Sequence, residues 1–141
     1  MEIKAILNKP YTETQKIDFV VTENHKNGFE IRETETALEA WGLTEEEQAE
    51  KERERINSLN LTKADFWIAL LDRSITKDMV KEKIELMPDA ILRAKTLIRL
   101  DEADHFWRGD ASMNIIGAMF GITPSDLDYL FEHKELPTEV N

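Results

Sequence analysis

Hydrophobic positions follow two different rhythms along this chain, and the change comes near residue 44. Before it, apolar residues alternate in two short stretches. In Glu2–Leu7, Ile3, Ala5 and Leu7 fall on one side, which predicts a strand. Asn8-Lys9-Pro10 breaks it. Residues 12–26 read as a helix, with Ile17, Val20 and Val21 on one face and Phe19 near its edge. Asn27-Gly28 supplies the stop, since both tolerate positive φ. Phe29-Glu30-Ile31-Arg32 alternates again and predicts a second strand. Paired with the first, it would give a small β-α-β unit with the helix on its sheet. The segment ends at Trp41-Gly42.

From Thr44 the rhythm is helical. Thr44 with Glu47 three residues on forms a capping box. The helix it opens, about 45–58, is nearly all charge: Glu47 with Lys51, Glu50 with Arg53 and Glu52 with Arg55 sit at pairing distance. Only Leu43, Ala49, Ile56 and Leu59 could bury surface there, so a solvated connector is expected. Thr62 then caps a helix with a Phe66, Trp67, Leu70, Leu71 stripe. Thr76 caps one with Met79, Val80, Ile84 and Met87. Pro88 suits the first turn of a third, carrying Ile91, Leu92, Ala94, Ile98, Leu100 and Ala103. A turn at Arg108-Gly109-Asp110 precedes a short helix from Met113 to Phe120. Thr123-Pro124 opens the last, with Leu127, Leu130 and Phe131 inward.

The expected fold is mainly α: a small β/α unit over 1–43, a charged connector helix over 44–60, a compact bundle of about five helices over 61–134 and a frayed tail over 135–141.

Charge narrows what such a chain can do. The 141 residues carry a formal net charge of −11, divided evenly: 14 acids and 8 bases in residues 1–60, 15 acids and 10 bases in the rest. This balance repels phosphate backbones and anionic membrane surfaces, so neither nucleic acid nor membrane is an expected partner. With no cysteine, thiol catalysis, thiolate metal sites and a disulfide framework are excluded. No secretion signal is expected from the acidic start.

Candidate chemistry is thin. Ile116–Leu130 fits a helix-turn-helix register, with Gly117 four residues before the turn glycine Gly121. Its second helix would meet DNA phosphates with Asp126, Asp128 and Glu132, the wrong sign for groove reading, so the register is expected to serve packing. Asp101 and His105 are four apart, as two metal ligands on one helix face would be, but a useful site needs three. Nucleophile elbow, phosphate loop and zinc-protease motifs are lacking, so no catalytic site, cofactor or metal is expected. His105-Phe106-Trp107-Arg108 joins aromatics to an arginine, the composition of binding hot spots. With Trp67 in reach, the candidate partner surface is Phe106, Trp107, Arg108 and Trp67.

One likeness adds a biological setting. Residues Lys9–Gln15, Asp18-Phe19-Val20, Asn24-His25, Gly28, Glu33–Thr36 and Ala37–Gly42, with Leu61–Phe66 and Phe106–Asp110 later, carry it. In these the chain resembles small uncharacterised proteins of tailed phages and prophages of Firmicutes, often encoded near tail or tail-fibre genes. The resemblance covers residues 9–66 and the rest in patches, and brings no catalytic residues. It implies a non-enzymatic protein of the tail or baseplate region, made in the bacterial host cytoplasm and incorporated in the virion or acting in its assembly. The partner would be a phage tail protein. The alternative is an acidic inhibitor of a host nucleic-acid-binding defence enzyme.

Overall fold

The computed structural model describes residues 1–138, and the fold is mainly helical. The chain divides into two compact units, Met1–Glu52 and Arg53–Asn141. The boundary falls within the charged helix, so the span expected as a separate connector is shared between them. No helix among the described residues is long and apolar enough to cross a membrane.

In the first unit, β1 (Glu2–Asn8) leads to helix α1 (Glu13–Val20). Thr12 and Gln15 cap α1 reciprocally: the Gln15 amide donates to Thr12 Oγ1 at 3.1 Å and the Thr12 amide to Gln15 Oε1 at 2.9 Å. The helix expected over 12–26 does not stay α. After Val20 it loosens into a π-helical segment, Val21–Lys26, before Gly28 ends it at φ +75°. β2 (Glu30–Glu33) and β3 (Ala37–Gly42) follow.

The expected pairing of the first two strands is wrong. β3 lies between them, antiparallel to both, and the sheet order is β1-β3-β2. As the central strand, β3 buries Ala37, Leu38 and Ala40. The turn from β2 to β3 is organised by Thr34, whose hydroxyl accepts from the Thr36 and Ala37 amides. Gly42 is required by space: a Cβ there would meet the Phe29 ring at 2.8 Å.

Helix α2 (Glu45–Asn57) starts at the expected box, the Glu47 amide donating to Thr44 Oγ1 at 3.1 Å. In the second unit, β4 (Asn60–Thr62) pairs antiparallel with β5 (His105–Trp107), Leu61 opposite Phe106. Between them run α3 (Lys63–Leu71), α4 (Lys77–Glu85) and α5 (Ala90–Glu102); α6 (Ala111–Met119) and α7 (Pro124–His133) close the unit. The side chains of Thr62, Thr76, Asp89, Asp110 and Thr123 each accept an amide in the first turn of their helix. Pro88 sits just before the cap Asp89, outside the helix it was expected to open.

One core joins Leu61, Phe66, Leu70, Val80, Ile84, Leu100, Phe106, Ile116, Leu130 and Phe131 with their neighbours. Phe66 is its aromatic centre, edge-on to Phe106 at 4.8 Å and to Trp67 at 5.1 Å between ring centroids. Two expected stripes are revised. On α3, Ala69 is inside and Leu71 outside. On α5, Leu100 is inside as expected, with Thr96 beside it, while Ile91, Ala94 and Ile98 face out. Thr96 fits an apolar interior because its hydroxyl donates to the Leu92 carbonyl at 2.8 Å. The tail expected from Glu135 is anchored: Leu136 joins the core, and Arg73 donates to the Pro137 carbonyl at 2.9 Å. Its last residues, 139–141, lie outside the described residues.

The α6–α7 corner explains the glycine spacing. Gly121 turns the chain at φ +70°, and Gly117 lets the second helix close on the first. A Cβ on Gly117 would stand 2.8 Å from the Ile122 carbonyl oxygen and 2.9 Å from Leu127 Cδ1. Backbone cannot step aside as a flexible side chain can. Gly117→Ala is therefore expected to destabilise by about 1–3 kcal/mol, although alanine is the better helix former by about 1 kcal/mol. A urea unfolding midpoint at or above that of the parent would contradict it.

Candidate functional site

The aromatic–arginine cluster is not a surface. Strand alternation at β5 turns neighbours opposite ways. Phe106, 3% exposed, packs in the core, while Trp107 is 51% exposed. Arg108 is also 3% exposed. Trp67 is half-buried, and its Nε1 is covered with no hydrogen-bond partner among the described residues. Of the four candidate residues, Trp107 alone presents most of its ring outward.

Arg108 leads instead to the most organised polar site in the second unit. Its Nε donates to Asp128 Oδ1 at 2.7 Å, Nη1 to Asn114 Oδ1 at 3.1 Å and Nη2 to the Pro124 carbonyl at 3.2 Å. Asp128 accepts a second, forked pair from Arg53, at 2.9 Å to each oxygen. One turn on, Glu132 pairs with Arg55. Asp126 caps its own helix and stands 3.6 Å from Arg73. All three acids that made α7 an implausible groove reader are met by arginines of the same unit. Two of those arginines, Arg53 and Arg55, lie on the last turns of α2, so that end of the charged helix is held against α7.

Burial pushes the Asp128 carboxyl up, but the hydrogen bonds from Arg53 and Arg108 outweigh it and hold it below the usual carboxylate range. Asp110 behaves alike. Burial raises it; the Ser112 amide and Arg99, at 2.6 Å, bring it down. A carboxylate depressed on folding adds stability that is complete above its unfolded pKa and vanishes as pH falls through its folded value. The urea midpoint should therefore drop from about pH 5 toward about pH 3. Asp128→Asn should flatten that drop; an identical pH profile in the variant would contradict the assignment.

The remaining candidates separate. Asp101 pairs with Lys81 at 2.7 Å, and the helix ends at Glu102. His105 stands in β5, so the two are not on one helical face. Among the described residues no group of three or more His, Cys, Asp or Glu could hold a metal ion. Asp110, at the end of the Arg-Gly-Asp turn, caps the helix that follows by accepting from the Ser112 amide.

In the first unit an open cleft of 610 Å³ is lined by Lys9, Tyr11, Glu13, Lys16, Glu33 and others. Tyr11 donates to Glu33 at 2.8 Å, and Lys9 stands 3.2 Å from the same oxygen. The bond to Glu33 raises the Tyr11 phenol; the bonds from Tyr11 and Lys9 lower Glu33. The phenol is thus kept as a donor and the carboxylate as its acceptor, an arrangement that neutralises itself.

With this geometry in view, comparison with known proteins adds no relative. No family model matches the chain, and no curated protein or solved structure matches it at a significant level.

Proposed function

We propose that this chain is a non-enzymatic protein of the phage tail or baseplate region, acting by protein–protein contact as a minor structural component or assembly factor. One observation carries the contact reading: the outer face of α3. This helix already buries Phe66, Ala69 and Leu70, yet Ile68 is 62% and Leu71 55% exposed, with Ala64 exposed one turn earlier on the same side. Large aliphatic side chains grouped at helical spacing mark a surface that is covered when the protein works. The tail setting rests on the resemblance to phage proteins, and with it synthesis in the host cytoplasm. The inhibitor alternative draws less support, because Asp126, Asp128 and Glu132 face arginines and offer no row of bare carboxylates.

Mass spectrometry of purified phage particles carrying a tagged copy tests this. The chain is expected in particles or tail fractions, and Ile68→Glu with Leu71→Glu should abolish its incorporation while leaving the circular dichroism spectrum unchanged. Absence of the parent chain from particles and from tail intermediates would overturn the tail reading. Undiminished incorporation of the double variant would overturn the role of α3.

A further inference from the structure

The outer face of α3 has a border that folding does not account for. Asp72 lies four residues beyond Ile68 and is exposed like it, so it edges the same face. It is the C-terminal cap of the helix, with a backbone still helical at φ −60° and ψ −23°. A carboxylate is disfavoured there, because the last carbonyls already leave negative charge at that end. A cation would suit the position, yet the last turn of α3 has no basic residue. Asp65, by contrast, stands in the first turn, where a helix favours an acid. Beside Asp72 the surface opens into a recess of 430 Å³, lined also by Arg73, Glu135, Leu136 and Pro137. Arg73 is committed: it donates to the Pro137 carbonyl at 2.9 Å and stands 3.6 Å from Asp126. Asp72 and Glu135 make no ion pair or side-chain hydrogen bond among the described residues. The apolar face of α3 thus runs into a recess with two unanswered carboxylates, where the fold alone favours the opposite sign.

We propose that the partner covering α3 is a basic-edged amphipathic segment: its aliphatic residues lie on Ile68 and Leu71, and a lysine or arginine at its edge enters the recess that Asp72 and Glu135 share. This rests on the contact reading of α3 and names the chemistry of its partner. Charge complementarity selects this occupant. A second copy brings a net charge of −11 toward two bare carboxylates, and an acidic partner meets them with its own sign. A purely apolar partner strips water from them and returns nothing. A basic side chain does neither, since its stem lies along Pro137 while its head meets the acids. Asp72 and Glu135 then oppose folding and favour binding, so removing them moves the two in opposite directions.

Two measurements on the full chain test the proposal. In urea unfolding, Asp72→Asn with Glu135→Gln should not lower the midpoint. In an NMR titration the probe is a short alanine-based helical peptide with leucines on one face and an arginine a turn beyond them, taken to about 5 mM. It should shift the amides of 68–73 and of Glu135, and bind more weakly as salt is added. Affinity should fall about tenfold for the double variant, and as much when glutamate replaces the arginine of the peptide. A lowered midpoint would assign the two acids to the fold and overturn the proposal. So would equal binding of the arginine and glutamate peptides, or an absence of shifts on α3. Shifts on that face on dilution without peptide would give it to a second copy, and overturn the proposal too. The peptide is independent of the phage, so absence of the parent from particles sinks the tail reading alone. Undiminished entry of Asp72→Asn with Glu135→Gln into particles that exclude Ile68→Glu with Leu71→Glu sinks this inference alone.

Discussion

Asp128→Ala is expected to lower the unfolding free energy of the second unit by about 3–5 kcal/mol. The loss comes from what the substitution leaves behind. Arg108 is 3% exposed and would keep its charge with two neutral acceptors, Asn114 Oδ1 and the Pro124 carbonyl. A guanidinium stays protonated in proteins, so it cannot escape by neutralising. Arg53 loses its fork too, but its side chain is 42% exposed and water replaces the carboxylate. The reverse truncation, Arg108→Met, should cost less, about 2 kcal/mol, because Asp128 retains both bonds from Arg53. This asymmetry separates the buried clamp from an ordinary surface ion pair, where either truncation costs under about 1 kcal/mol. Urea unfolding followed by tryptophan fluorescence in a Trp41→Phe background reads the second unit through Trp67 and Trp107.

Phe66→Ala should be as severe, about 3–5 kcal/mol. Phe66 is 1% exposed and touches three aromatic rings from three elements: Trp67 on its own helix, Phe106 on β5, and Phe131 on α7 at 6.5 Å. Removing the ring forfeits its transfer from water and opens a cavity that three separately anchored elements cannot all collapse into. Phe66→Leu, which refills much of the volume, should recover more than half of the loss. A loss below about 1 kcal/mol for Phe66→Ala would mean that this ring is not at the centre of the core.

The helices were legible where their signals are local. Thr62, Thr76, Asp110 and Thr123 cap as their sequences indicate, because a cap acts within one turn. The Gly117–Gly121 spacing also announced its corner. What escaped is set at long range. Ala37-Leu38-Glu39-Ala40 is made of good helix formers, and only strands on both sides hold it extended. β4 and β5 are three residues each, too short for a period to show. On α5 the more aliphatic face looks like the buried one, and what the rest of the unit packs against reverses that. The sequence displays the negative charge of α7, but the arginines that meet Asp128 lie 75 and 20 residues away. No window on the chain joins them, so a cluster beside Trp107 looked like a surface when half of it faces inward.

That Asp128 on α7 is committed to Arg108 and Arg53 is the claim on which the site reading stands. A double-mutant cycle between Arg108 and Asp128 measures it directly, using Arg108→Met, Asp128→Ala and the pair in urea unfolding. The clamp predicts a favourable coupling of about 2 kcal/mol, the double variant losing much less than the two single losses together. Additivity within about 0.5 kcal/mol would contradict it, and would return Asp128 to the surface as an acid available to a partner.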